Sequence, residues 1–79
     1  MLTILLHRAP ARAFYRVEIS DNLFGEYTVL REWGRAGRLA GARVNWFSNL
    51  RDAVQAADLW RGRAISRGYR LSERRAARG

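Results

Sequence analysis

Only one segment of this 79-residue sequence repeats at helical spacing. Leu50, Ala53, Val54, Ala57, Trp60 and Ala64 recur at intervals of three or four, giving one apolar stripe that is small at its start and bulky at Trp60. Arg51, Gln55, Asp58 and the Arg61 to Arg63 segment lie mainly off it. Asn49 precedes the stripe as a favoured cap, and Asp52 sits where the helix dipole favours a carboxylate. Gly68 suits the position just after a helix. A chain with a single helix has one element with which to cover everything else it folds.

What else it folds reads as strands. Met1 to His7 is a first apolar run, closed by Arg8-Ala9-Pro10, where proline removes a donor. Over Phe14 to Ser20, Tyr15, Val17 and Ile19 share one face while Arg16, Glu18 and Ser20 share the other. Asp21 to Gly25 is a turn. Its Leu23 and Phe24 are unusually apolar and are expected to fold back onto the sheet. Glu26 to Trp33 carries apolar groups on both parities, which predicts a central strand covered on both faces. Gly34, Gly37 and Gly41 then punctuate a predicted loop holding Arg35 and Arg38, and Ala42 to Phe47 is a fourth strand. Tyr69-Arg70-Leu71 adds a short strand or packs back.

The expectation is one sheet of about four to five strands closed by one helix, an α+β domain over residues 1–71. Ser72 to Gly79 is arginine-rich, lacks a core stripe and is expected to be disordered. No internal repeat or linker divides the chain. A domain of this size has a thin core.

Charge narrows the partner. The net charge is +8, and all fifteen basic residues are arginine. Arginine gives planar, bidentate phosphate contacts that lysine does not. A sequence pI near 11.6 makes nucleic acid the first partner to consider. Acidic proteins and anionic membrane surfaces are further candidates.

Other chemistries fare worse. With no cysteine, disulfides and thiolate sites are excluded. Ile4-Leu5-Leu6 is too short to span a membrane. Ala11-Arg12-Ala13 resembles a signal-peptidase site, but no basic region precedes the apolar run. A cytoplasmic protein is expected. His7 is the only histidine, and no serine, histidine and acid set accompanies it. Glu18, Asp21, Glu26 and Glu32 show no metal-ligand spacing. Gly34-Arg35-Ala36-Gly37 is neither a dinucleotide fingerprint nor a phosphate-binding loop with its lysine. The expectation is a non-catalytic chain with no cofactor and no metal.

Two groups of arginines stand out. Arg63, Arg67 and Arg70 recur at four and three, where like charges repel unless an anion lies alongside. Arg31, Arg35, Arg38 and Arg43 surround the glycine segment and would gather at one sheet end if strands three and four pair. For both groups ordinary surface charge is the alternative. Trp33 also has two readings. It is a core ring, since Tyr27 and Val29 share its parity, or an exposed ring stacking on a sugar or base. Such stacking contributes roughly 1–3 kcal/mol per base.

At Trp33-Gly34-Arg35 the chain resembles the WGR domain family, named for that tripeptide. The likeness runs from about Phe14 to Tyr69. It includes Phe14-Tyr15-Arg16-Val17, the lead-in Tyr27 to Glu32, Gly37, Phe47 before the capped helix, Ala53, and Arg67-Gly68-Tyr69. The apolar start and the Leu23-Phe24-Gly25 turn look like short stand-alone bacterial members. The resemblance implies an antiparallel sheet with a helix packed on it, and a module that binds broken DNA in poly(ADP-ribose) polymerases. It also implies that Trp33 packs against a sugar and that Arg35 is the adjacent anchor. Arg63 is the nearest match to the family's further basic residue, at a spacing about one residue longer. These residues include no polymerase domain and no zinc finger, so no ADP-ribose transfer is carried over.

The sequence thus nominates Trp33, Arg31, Arg35, Arg38, Arg43, Arg63 and Arg67 as a nucleic-acid-binding set. DNA ends, nicks or exposed sugar-phosphate are the expected target, with little sequence preference. An acidic protein partner is the alternative, and RNA is a third candidate.

Overall fold

The computed structural model describes residues 2–76. Five strands and one helix follow in the order β1 (Leu2–Arg8), β2 (Ala13–Asp21), β3 (Tyr27–Arg35), β4 (Arg38–Phe47), α1 (Leu50–Ser66) and β5 (Arg70–Ala76). All the strand pairings are antiparallel, and the spatial order is β4-β3-β2-β1-β5. The helix carries the chain from one edge strand to the other, so it lies across one face of the sheet.

That face holds the core. Ile4, Leu6, Tyr15, Val17, Ile19 and Val29 point into it from the strands, and Ala53, Ala57 and Ala64 meet them from α1. The sheet supplies the volume, and alanines let the helix axis come close. Larger stripe residues are displaced to the flanks: Leu50 and Val54 are exposed, and Trp60 is half-buried. Asn49 caps the helix as expected, its Oδ1 accepting from the Asp52 backbone N–H at 2.8 Å.

Three expectations need correction. The third strand is interior, paired with β2 and β4, but it is not covered on both faces, since α1 covers only one face of the sheet. The apolar residue of opposite parity, Leu30, instead pairs with Val44 on the uncovered face, beside an Arg16–Glu32 ion pair. Leu23 and Phe24 do not fold back, being 99% and 85% exposed. Asn22 is the reason. Its Oδ1 accepts from the Phe24 and Glu26 backbone N–H groups at 2.8 and 3.1 Å, so the turn is pinned with both side chains outward.

The third correction concerns the C-terminal segment. Ser72 to Ala76 was expected to be disordered, but it continues β5 and pairs with the free edge of β1 from His7↔Arg70 to Leu2↔Ala76. Every residue of β5 is exposed, so backbone hydrogen bonding rather than burial holds it, and no alternation marks it in the sequence. Ser72 Oγ adds a bond to the Leu5 carbonyl at 3.1 Å. The remaining part of the expected tail, residues 77–79, lies outside the described residues.

The predicted glycine loop is a tight hairpin. Arg35 pairs with Arg38 around Ala36 and Gly37, whose φ values of 51° and 78° suit the mirror-image turns favoured between twisted strands. Gly34 is buried at a bulge in β3. A Cβ there would lie 2.0 Å from the Arg38 carbonyl oxygen and 2.9 Å from Phe14 Cε1. The middle residue of the tripeptide is glycine because two backbones meet there.

Gly34→Ala is therefore expected to destabilise the domain by about 2–4 kcal/mol. Leu23→Ser and Phe24→Ser are expected to change stability by less than about 0.5 kcal/mol, because neither side chain is buried. Urea unfolding followed by circular dichroism measures all three variants.

Candidate nucleic-acid interface

Sheet register brings the aromatic residues together. Trp33 on β3 stands opposite Tyr15 on β2 and Gly41 on β4. The Trp33 and Tyr15 rings stack with centroids 6.3 Å apart and planes 14° apart. A Cβ on Gly41 would lie 2.5 Å from Trp33 Cζ2, so the missing side chain is the berth for the indole. Tyr69 meets the Tyr15 ring edge-on at 6.1 Å. The end of α1 delivers it. Gly68, at φ 95°, donates to the Ile65 carbonyl at 3.0 Å, and the Tyr69 backbone N–H donates to the Ala64 carbonyl at 3.1 Å. That is a Schellman closure, with the tyrosine at its outer position.

Trp33 is neither sealed in the core nor fully exposed. The ring is half-buried and packs against the core, yet it lines two shallow surface clefts. Tyr69 lines both clefts as well, so the two rings form the wall between them. One cleft, of about 180 Å³, is completed by Tyr15, Arg31 and Arg67. The other, of about 420 Å³, is flanked by Arg8, Arg35 and Arg38. No carboxylate lines either one. Cations packed this closely repel one another, and an anion in either cleft would relieve the repulsion.

The seven nominated residues separate into groups. Trp33, Arg35 and Arg38 share the larger cleft, and both arginines are exposed at the hairpin tip. Arg67 caps α1 at the mouth of the smaller cleft, and its carbonyl accepts from Arg8 Nη1 at 3.0 Å. Arg31 is tied into the seam between sheet and helix. Its guanidinium lies 3.8 Å from the Trp60 ring centroid, and Nη2 donates to Asn45 Oδ1 at 3.2 Å. Its Nε is buried without a hydrogen-bond partner. Arg43 is exposed opposite Arg31 in register, and Arg63 is exposed one turn before Arg67; neither lines the clefts.

Sequence reasoning missed Arg8, Tyr15 and Tyr69 as site residues. The Arg8 guanidinium lies 4.9 Å from the Tyr69 ring centroid. Tyr15 carried a signal, its parity with Val17 and Ile19, but that marks a core residue as readily as a site. Arg8 had none, because its place depends on β1 ending beside the close of α1.

Fold and site together define a class: a small α+β domain presenting an aromatic wall between arginine-lined clefts at one end of its sheet. The chain belongs to the WGR domain family, whose profile matches residues 6–76. This is a non-catalytic domain family known for nucleic-acid binding in poly(ADP-ribose) polymerase-like proteins. The chain is also similar to the uncharacterized protein y4dW of Sinorhizobium fredii (strain NBRC 101917 / NGR234), at 41% identity over 58 residues. The match covers 72% of this chain but 28% of that relative. No solved structure matches significantly. Among the described residues no helix is long and apolar enough to cross a membrane, and no group of three or more metal-ligating side chains occurs.

Because Arg31 is packed and hydrogen-bonded, Arg31→Ala is expected to lower stability by about 1–2 kcal/mol. Arg35→Ala and Arg38→Ala are expected to stay within about 0.5 kcal/mol of the parent. Chemical denaturation of the three variants separates the structural arginine from the surface pair.

Proposed function

We propose that this domain is a non-catalytic DNA-binding module that engages ends, nicks or exposed sugar-phosphate. The observation that carries this reading is the Trp33–Tyr69 wall with arginines on both of its sides and no carboxylate in either cleft. Arg35, Arg38 and Arg8 take phosphates on one side, and Arg67 takes one on the other. The partly exposed Trp33 ring packs against a sugar or an unstacked base. A sugar face or terminal base is open at a break and covered in continuous duplex, which favours ends over closed DNA. Phosphate and sugar contacts carry no base code, so sequence preference is small.

Family membership supports the same reading, since nucleic-acid binding is the property known for WGR domains of poly(ADP-ribose) polymerase-like proteins. Arg43 and Arg63 join as outer phosphate contacts. They lie beside the clefts rather than in them, so their contribution is electrostatic and salt-sensitive.

A second reading, docking of an acidic protein, draws on Val44 and Trp46. They are 51% and 62% exposed on edge strand β4 and lie on the face that α1 leaves open. Capture of a protein partner that survives high salt would favour it, because ionic contacts to DNA are screened. RNA is distinguished by competition against nicked duplex.

The test is a titration with nicked, blunt and closed circular DNA at two salt concentrations. Contact with about four to six phosphates gives a log–log salt slope of roughly −3.6 to −5.4. Trp33→Ala is expected to weaken binding to nicked and blunt DNA more than to circles; equal loss on all three, with the fold intact, removes end recognition. Arg35→Ala is expected to cost about 1–3 kcal/mol of binding, and an unchanged affinity would take it out of the site.

A further inference from the structure

At the end of the sheet away from Trp33, the molecule carries a hook beside a socket. The β2–β3 register runs from Phe14↔Gly34 at one end to Asp21↔Tyr27 at the other, and the Leu23–Phe24 tip projects beyond the second end. Both side chains are almost fully exposed on a turn fixed by four hydrogen bonds: Asn22 Oδ1 accepts from the Phe24 and Glu26 backbone N–H groups, the Asn22 N–H donates to the Glu26 carbonyl, and Asn22 Nδ2 donates to Glu26 Oε1. In the free molecule the phenyl ring therefore contributes little burial to the fold, and its apolar surface is left for a partner. Next to it, between α1 and the β1–β5 side of the sheet, is a groove of about 230 Å³. Leu2, Ile4, Ile19, Val54 and Leu71 make its apolar walls. A cavity of roughly 150 Å³ is enough to take up a benzene ring.

Charge matches as well as shape. Asp21 and Glu26 flank the hook, and among the described residues neither takes part in an ion pair. Arg61, Asp58 and Arg74 stand on the groove rim; Asp58 holds Arg61 at 2.7 Å, so the unmatched rim charge is Arg74, which has no ion pair among the described residues. An acid-flanked apolar tip thus fits an apolar groove whose rim carries a net positive charge through Arg74. Both parts are on the same chain, side by side at one end.

We propose that a second copy of this chain fills the groove: two molecules exchange their Leu23–Phe24 hooks in a two-fold dimer. Reciprocal exchange closes the assembly, because each hook finds a socket and none is left over. The buried area is on the order of 1,000 Å², the low end for a specific interface, so association is weak and concentration-dependent. The Trp33 corner stays free in both copies, and the proposal does not depend on DNA binding.

Sedimentation velocity on DNA-free protein, from micromolar to near-millimolar concentration, tests it. The wild type shifts from monomer to dimer across that range. Phe24→Ser, which removes a ring from each socket, weakens association by at least about 100-fold. Val54→Arg blocks the groove and weakens it comparably. Mixed, the two variants regain association, since the pair retains one intact hook and one open groove. Circular dichroism verifies that both fold. A wild type that stays monomeric throughout, or Phe24→Ser dimerising like the wild type, overturns the proposal. So does Phe24-dependent capture of a different protein by a monomeric wild type.

Discussion

The stack of Trp33 on Tyr15 is the contact on which the candidate interface depends. It joins two neighbouring strands on the face that also carries the core, so the indole is held by the same register that holds the fold. Its inner side is packed and its outer side is open. A ring on a flexible loop would lose conformational freedom each time it met a ligand, whereas this one is already fixed. Glycine makes the arrangement possible at two points. Gly34 allows β3 and β4 to close at the bulge, and Gly41 leaves space for the ring. The side chains that are absent thus shape the site as much as those present.

The fold was legible in the sequence where periodicity reports burial. The alternation of Tyr15, Val17 and Ile19 gave β2, and the three-four spacing from Ala53 to Ala64, with its Asn49 cap, gave α1. It was illegible where structure rests on backbone pairing alone. The fully exposed β5 has no apolar face to read, so its arginine-rich sequence looks like a tail. The hairpin at Ala36-Gly37 was hidden for a related reason. A non-glycine residue takes the first left-handed position, and three nearby glycines suggest a loop. Leu23 and Phe24 misled in the other direction, because apolarity argues for burial while a local Asn22 network decides otherwise.

The site was legible as residue types but not as an arrangement. Trp33, Arg35, Arg38 and Arg67 were nominated, and all four line the clefts. Arg31 shows why a list of basic residues is a poor map. It belongs to the same cluster in sequence, yet its guanidinium lies against Trp60 and Asn45, and it reaches the cleft as part of the wall. Arg8 shows the converse. It is more than twenty residues from Trp33 in sequence and joins the site only because β1 ends where α1 closes.

A helix that buries only alanines can sit close to a sheet, but it cannot cover a sheet five strands wide. Something must then remain open at the margins, and the margins are where this molecule differs from end to end. At the Trp33 end, the open region gathers cations around two aromatic rings and excludes carboxylates. At the Leu23 end, it pairs an apolar projection bearing acids with an apolar recess bearing arginines. The first surface holds cations with no carboxylate to balance them, which is what an anionic partner would complement. The second contains both halves of a match on one chain, and the Asn22 network holds the turn outward, with neither Leu23 nor Phe24 lining the groove. A second copy supplies the missing half without any new chemistry. A domain too small to enclose its helix flanks can thus offer one end to an anion and the other to a second copy of itself.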